Sequence, residues 1–180
     1  MLFPDIETDR LILRALNSTD REFIFSHFSD NNVCKYLYDN EPLLLIGEVE
    51  KIIRFYESPE FNDHNRWIII KKEDNIIIGT CGYHYWNKKD NIAEIGYDLG
   101  KNYWGQGYMT EAMKVVLDNG FQNMGLNRVQ AFVYIENGKS CNLLKKLGFR
   151  NEGTVREKHL YRGKYYDHFC FSLLKREWNE

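Results

Sequence analysis

EIGYDLGKNYWGQGYMTEA, residues 94–112, is the stretch on which the reading of the chain turns. It opens as an apolar, strand-like run, passes through a glycine turn and enters a pattern of helical period. Met109, Ala112, Met113, Val116, Leu117, Gly120 and Phe121 recur at three and four, a helix of about 15 residues. A strand that hands its end to a helix N-terminus leaves backbone N–H groups unpaired and pointing one way, with the positive end of the helix dipole behind them. Such a turn suits phosphate oxygens, and Gly105 and Gly107 let the backbone approach them closely. Thr110 stands where a dinucleotide fingerprint needs its third glycine, and no GK[ST] follows, so an ordinary NAD or ATP site is disfavoured.

Upstream, Trp67–Lys71, Ile76–Tyr85 and Ile92–Leu99 read as strands reversed at residues 73–75 and 87–91, an antiparallel meander. Alternation in the second of these puts Tyr83 and Tyr85 on one face and Trp86 on the other. Downstream, RVQAFVY (Arg128–Tyr134) follows a helix-length crossover and must lie parallel to the strand before it. Lys139–Leu147 reads as a short helix ended by Gly148, and Phe149–Val155 and Tyr165–Leu174 as closing strands. Near the start, Arg10–Leu16 alternates like a half-buried strand, and Thr19 and Glu22 have capping-box spacing ahead of an apolar face of Phe23, Ile24 and Phe28. Asn31–Glu41 bends without a period, and a second helix over Glu48–Tyr56 is closed by Pro59. No repeat or linker interrupts residues 1–180, which are expected to form a single domain of mixed α/β (α+β) class.

A net charge of −2 provides no broad field for nucleic acid, so none is expected as a partner. The longest apolar runs, such as Pro42–Gly47, fall well short of the roughly 20 residues that span a bilayer. Asp5, Glu7, Asp9 and Arg10 break up any signal peptide at the start, and a cytoplasmic location without membrane attachment is expected. Cys34, Cys81, Cys141 and Cys170 show neither metal-ligand nor disulfide spacing, so no metal is expected and the thiols read as free.

The order strand, YWGQGYMTEA, helix, strand and then ENGKSCNLLKKLGFRNEG resembles the GNAT superfamily of acyl-coenzyme A-dependent N-acyltransferases, nearest the branch of the RimJ/RimL protein N-terminal acetyltransferases. The resemblance runs from TDRLILRAL to GKYYDHFCFSLLKREW. It implies a mostly antiparallel sheet of six to seven strands flanked by helices, with two parallel strands splayed where acetyl-CoA lies. The superfamily's pyrophosphate loop falls on Asn102–Gly107, with Asn102 in place of the usual Gln or Arg; backbone N–H groups of Trp104, Gly105, Gln106, Gly107, Tyr108 and Met109 would hold the pyrophosphate. A bulge is expected near Leu99, whose backbone N–H would serve the oxyanion, and the pantetheine arm would lie between that strand and Arg128–Val133. Asn137 would bond the pantetheine or thioester surroundings, with Ser140 near the sulfur.

Direct attack of a neutral amine on a thioester asks the protein to remove a proton, hold an oxyanion and align two reactants. Two bases are implied: His159, where RimL-like enzymes carry a Glu, ranks ahead of Glu94, the position used by several relatives. Relatives often protonate the departing thiolate with a tyrosine four residues before the Gly-Phe pair; this chain has Leu144 there, which leaves Ser140 or a water it orders. Cys141 beside Ser140 raises a covalent acyl-cysteine, against which stands the direct transfer of relatives. The acceptor implied by the branch is a peptide N-terminus; a small amine such as a polyamine or aminoglycoside, or a non-catalytic acyl-CoA sensor, are the alternatives. Exposed aromatics near Tyr36–Tyr38 leave monomer and homodimer open.

Overall fold

The computed structural model describes residues 2–37, 41–57 and 63–178. Eight strands form one sheet in the order β1-β2-β3-β4-β5-β6-β8-β7. They are β1 (Ile6–Glu7), β2 (Leu11–Ala15), β3 (Trp67–Lys71), β4 (Ile76–Asn87), β5 (Ile92–Leu99), β6 (Arg128–Tyr134), β7 (Arg150–Tyr161) and β8 (Lys164–Leu174). Every neighbouring pair is antiparallel except β5 and β6, which are parallel because helix α4 (Tyr108–Gln122) crosses between them. The strand beyond the expected count is β1, two residues whose pairing to β2 carries too short a pattern to read.

Two helical layers cover the sheet. On one face α4 and α5 (Gly138–Lys146) pack over a core that includes Leu13, Ile69, Ile95, Val129 and Phe171. On the other, α1 (Arg21–Phe28) and α3 (Val49–Tyr56) cover a second cluster of Leu16, Ile24, Val49, Ile53, Ile68 and Ile70. The central strand β3 serves both, Trp67 and Ile69 entering one core and Ile68 and Ile70 the other, so its run of isoleucines lacks an alternating pattern. The short α2 (Asn31–Cys34) lies within the segment expected to bend, and α6 (Lys175–Trp178) ends the described chain. Residues 38–40 and Pro59 lie outside the described residues.

Three local expectations are corrected. The capping box forms at Asn17 and Asp20, two residues before Thr19 and Glu22, because a 3-10 turn over Ser18–Asp20 precedes α1. Asp20 is fixed there by the Asn17 N–H at 2.9 Å and by both guanidinium nitrogens of Arg14. In β4, a register shift lies between His84 and Asn87, with Tyr85 at φ 51°. The extra residue flips the alternation, so Trp86 packs with Tyr83 against the main core while Tyr85 is 74% exposed. No register shift accompanies the bulge expected near Leu99: β5 stays regularly paired with β4 through Leu99, whereas its pairing with β6 stops at Glu94 and Gln130.

Helix α4 approaches the sheet closely at Gly120. A Cβ there would sit 2.2 Å from the Tyr83 hydroxyl, which is fully buried and donates to the Val116 carbonyl at 2.9 Å. Gly120→Ala is expected to destabilise the fold by about 2–3 kcal/mol through overpacking. Adding Tyr83→Phe removes the first colliding atom and should return part of that loss, so chemical denaturation of both single variants and the double variant gives a positive coupling. Additive losses would show that the two residues do not meet.

Candidate active site

Past Glu94 and Gln130, β6 no longer pairs with β5, and a gap opens toward the C-terminal ends of both strands. The Gly100 N–H donates to Ile78 on the β4 side at 2.9 Å. By strand alternation the N–H groups of Tyr97 and Leu99 then face the gap, where β6 offers them no ladder partner. The Leu99 carbonyl is taken by the Trp104 indole N–H at 2.7 Å. This leaves a line of backbone donors and acceptors suited to an amide-bearing chain laid beside β5, which is where a pantetheine arm is expected.

The open end of the gap runs into the glycine loop. Gly105 and Gly107 have φ of 74° and 82°, and Gly107 is the left-handed cap of α4, conformations that strain other residues. Tyr108 and Met109 are buried and hold the helix start in place, while their N–H groups lie in the first turn, where no intrahelical acceptor exists. Arg10 was given no role from sequence, yet it braces this loop. It donates to the Gln106 carbonyl at 3.1 Å and to Glu111 at 2.6 Å, and its guanidinium lies 4.4 Å from the Tyr108 ring centre. The Gln106 side chain donates to the Asn102 carbonyl at 2.8 Å, and Lys139 of α5 sits 4.1 Å over Trp104. From Gly107 a groove of about 430 Å³ continues along α4 past Thr110 and Lys114 to Lys146.

α5 closes the same gap from below. Asn137 is its N-cap and accepts the Ser140 N–H at 3.3 Å. The Ser140 hydroxyl is 2.7 Å from the Tyr97 hydroxyl, so a residue of β5 and one of α5 meet through hydroxyl groups beside the region where the strands part. Burial pushes the Tyr97 phenol up, which keeps it a protonated hydrogen-bonding group at neutral pH. The sequence carries no signal that singles out Tyr97 from the neighbouring strand residues. Cys141 is buried, and burial raises its thiol, the opposite of what a nucleophilic thiolate requires.

The two base candidates lie apart. Glu94 is half-buried at the apex, level with Gln130 on β6 and Ser172 on β8. His159 is on β7, and its ring stands edge-on to that of His168, 4.8 Å between centres. His168 pairs with Tyr134 and lies four residues along β8 from Ser172, so the two levels differ by about 13 Å. Both bases cannot serve one reacting carbon. His168 is buried, and burial lowers its pKa, so it presents a neutral ring to His159. Sequence offered no signal for it, since it sits in β8 as an ordinary strand residue.

Behind β5, on the face covered by α1 and α3, a buried polar cluster fixes the strand. Asp98 accepts from Arg66, from the Thr80 hydroxyl at 2.7 Å and from His27 Nε2 at 2.6 Å; a carboxylate can only accept, so Nε2 carries the proton. Burial pushes Asp98 up, but Arg66, His27 and Thr80 outweigh it and hold the carboxyl at about 2. Arg66 also donates to His84 Nε2 at 3.1 Å. Burial, reinforced by that guanidinium, draws His84 down to about 3.

A glycine-capped helix facing a gap between parallel strands, with α5 closing it, is the architecture of a known acyl-transfer family. The family model described as an acetyltransferase (GNAT) domain matches residues 10–150. The chain belongs to the GNAT acetyltransferase family. It is 38% identical over 172 residues to the uncharacterized N-acetyltransferase p20 of Bacillus licheniformis, covering 95% of this chain and 96% of that one. The fold matches a spermidine N-acetyltransferase from Vibrio cholerae in complex with CoA and spermine, at TM-score 0.85 and 24% identity, over 96% of this chain and all of that one (100%). It also matches a ribosomal-protein-S5-alanine acetyltransferase from Vibrio fischeri, at TM-score 0.84 and 24% identity, over 97% and 98% of the two chains. The protein is therefore an acetyl-CoA-dependent N-acetyltransferase. Among the described residues no helix is long and apolar enough to cross a membrane, and no group of three metal-ligating side chains occurs.

The buried cluster makes stability depend on pH. His84 is neutral in the folded state down to about 3, while in the unfolded chain it binds a proton below about 6.5. Its contribution is complete above the unfolded value and is lost progressively as pH falls from 6.5 toward 3; Asp98 adds a further loss between about 3.8 and 2. Thermal melts from pH 7 to pH 4 should show a falling Tm, and His84→Gln, which keeps an acceptor for Arg66, should flatten that fall. An unchanged slope in the variant would show that His84 does not titrate in the unfolded state alone.

Proposed function

We propose that this GNAT enzyme acetylates a peptide N-terminal amine by direct attack within a ternary complex. The observation that carries the reading is the gap between β5 and β6: it runs into the glycine start of α4 and is closed by the Tyr97–Ser140 hydroxyl pair. The coenzyme's pyrophosphate rests on backbone N–H groups of Trp104 to Met109, and its pantetheine arm lies beside Tyr97 and Leu99. The amine enters from the face bearing Glu94, Gln130 and Tyr134.

In the reaction, the amine nitrogen forms a bond to the thioester carbonyl carbon, and the C–S bond then breaks. Of the N–H groups of Leu99 and Tyr97, one pairs with the arm and the other holds the developing oxyanion. His159 takes the ammonium proton with His168 as its neutral neighbour, and the Ser140 hydroxyl, backed by Tyr97, donates to the leaving thiolate. Two observations favour other assignments. Glu94 lies at the apex of the gap, closer to where the strands part than His159. Likeness to the spermidine acetyltransferase supports a polyamine acceptor as the second reading.

Gly107→Asp separates the coenzyme site from the fold. Aspartate enters the left-handed region more readily than most residues, so the fold should persist with some loss of stability, but its carboxylate occupies the place of a phosphate. Acetyl-CoA at 100 times its Kd should stabilise the wild-type protein by about 2.7 kcal/mol, read as a Tm rise of several degrees. The variant should lose that rise; an equal shift in both would displace the pyrophosphate from this turn.

The base is assigned by pH–rate profiles. His159→Gln is expected to lower kcat by about 10²–10⁴ and to remove the acidic limb of kcat/KM, with Glu94→Gln retaining that limb. The reverse pattern would assign the proton to Glu94.

A further inference from the structure

The acceptor side of the gap carries an aromatic floor with a charged rim. At the end of β6 the Tyr134 ring lies 5.7 Å from that of Tyr36 and 5.5 Å from that of Tyr166. Tyr161 joins this group at 6.4 Å from Tyr166. Phe132, two residues before Tyr134 on β6, shares its face. Over this floor stand lysines from three segments. Lys35 lies 4.9 Å over Tyr36, Lys164 lies 5.2 Å over Tyr166, and Lys158 lies 4.3 Å over Phe132.

Among the described residues none of these three lysines takes part in an ion pair. Among the described residues one carboxylate that reaches the group, Glu41, is already answered: it accepts from Arg162 at 2.7 Å and from the Tyr161 hydroxyl at 3.1 Å. Asp167 alternates to the opposite face of β8 from Tyr166 and His168 and accepts the Glu157 N–H at 2.8 Å. Among the described residues the entrance therefore keeps three ammonium groups outside any ion pair, and Glu94 is the carboxylate at the apex beyond them. A polycation arriving there meets like charge, whereas a negative group beside the reacting amine meets three donors over an apolar surface.

We infer that the acceptor is a primary amine flanked by carboxylates, held by Lys35, Lys158 and Lys164, and that polyamines are excluded by the same three side chains. The inference rests on the acetyl-transfer reading above and chooses between its two acceptor classes. Its chemistry has two sources, a free acidic amino acid or an acidic peptide N-terminus, and separate arms of the test distinguish them.

The test measures CoA release with matched acceptors: Ala-Glu-Glu against Ala-Lys-Lys, and glutamate against spermidine. Wild-type protein should favour the acidic member of whichever pair turns over by roughly tenfold or more in kcat/KM, and the advantage should shrink in raised salt. The triple charge reversal K35E/K158E/K164E should invert the preference while keeping the Tm shift with acetyl-CoA. A second arm needs no turnover: with CoA bound, fluorescence anisotropy of labelled Ala-Glu-Glu and Ala-Lys-Lys should show the same order of affinity and the same inversion. A basic acceptor preferred by the wild-type protein, or a preference that the triple variant leaves unmoved, would overturn the inference. If no acceptor releases CoA while anisotropy still shows an acidic preference that inverts, the catalytic reading fails and the recognition stands.

Discussion

The structure depends on one interruption: β5 and β6 pair for three residues, Ile92–Glu94 with Arg128–Gln130, and then separate. Breaking a ladder in the middle of a sheet costs backbone hydrogen bonds, and the fold recovers stability on both sides of the break. Against β4, β5 keeps its pairing to Leu99, and β6 keeps its own against β8 over its whole length. The rest of the sheet stays continuous while a slot opens within it, lined by main-chain groups that a substrate can complete.

Keeping such a slot open requires that β5 be held from behind. The Asp98 cluster does this by gathering Arg66, Thr80, His27 and, through Arg66, His84 onto the face away from α4. Such a cluster is expensive to desolvate and strongly destabilising if one member is removed, so it fixes geometry more than it adds net stability. Gly96 sits within it: a Cβ there would approach Arg66 and His84 to 3.4 and 3.5 Å. On the opposite face the Tyr97–Ser140 contact ties the strand to α5, so β5 is positioned from both sides at the level where the reaction is proposed.

Much of the fold was legible because its signals are local. The meander of β3 to β5, the span of α4 and the parallel placement of β6 follow from period, turns and crossover length. What failed was local chemistry with more than one solution. Asn17 competed with Thr19 for the capping position, and the bulge in β4 reversed the facing of Tyr85 and Trp86 without any glycine to announce it. At the site, the glycine loop was readable because its requirement is a backbone one. Tyr97 and Arg10 were not, since each acquires its partner from a segment distant in sequence, and His168 meets His159 only through the register of the β7–β8 hairpin.

That contrast has a physical origin that bears on specificity. The proposed donor side is built from main-chain groups and a helix terminus, which suit features every acyl-CoA shares, so the same loop could serve many enzymes. The proposed acceptor side is built from side chains on α2's flank, β6, β7 and β8, whose identities can change without disturbing the sheet. Tyr36, Lys158 and Lys164 reach that surface from three separate segments, and exchanging any of them alters its charge while leaving the gap intact. One fold is shared by a spermidine enzyme and a ribosomal-protein enzyme, and on the proposed reading the charge around the entrance, more than the resemblance of the fold, is where this chain's choice of amine would be made.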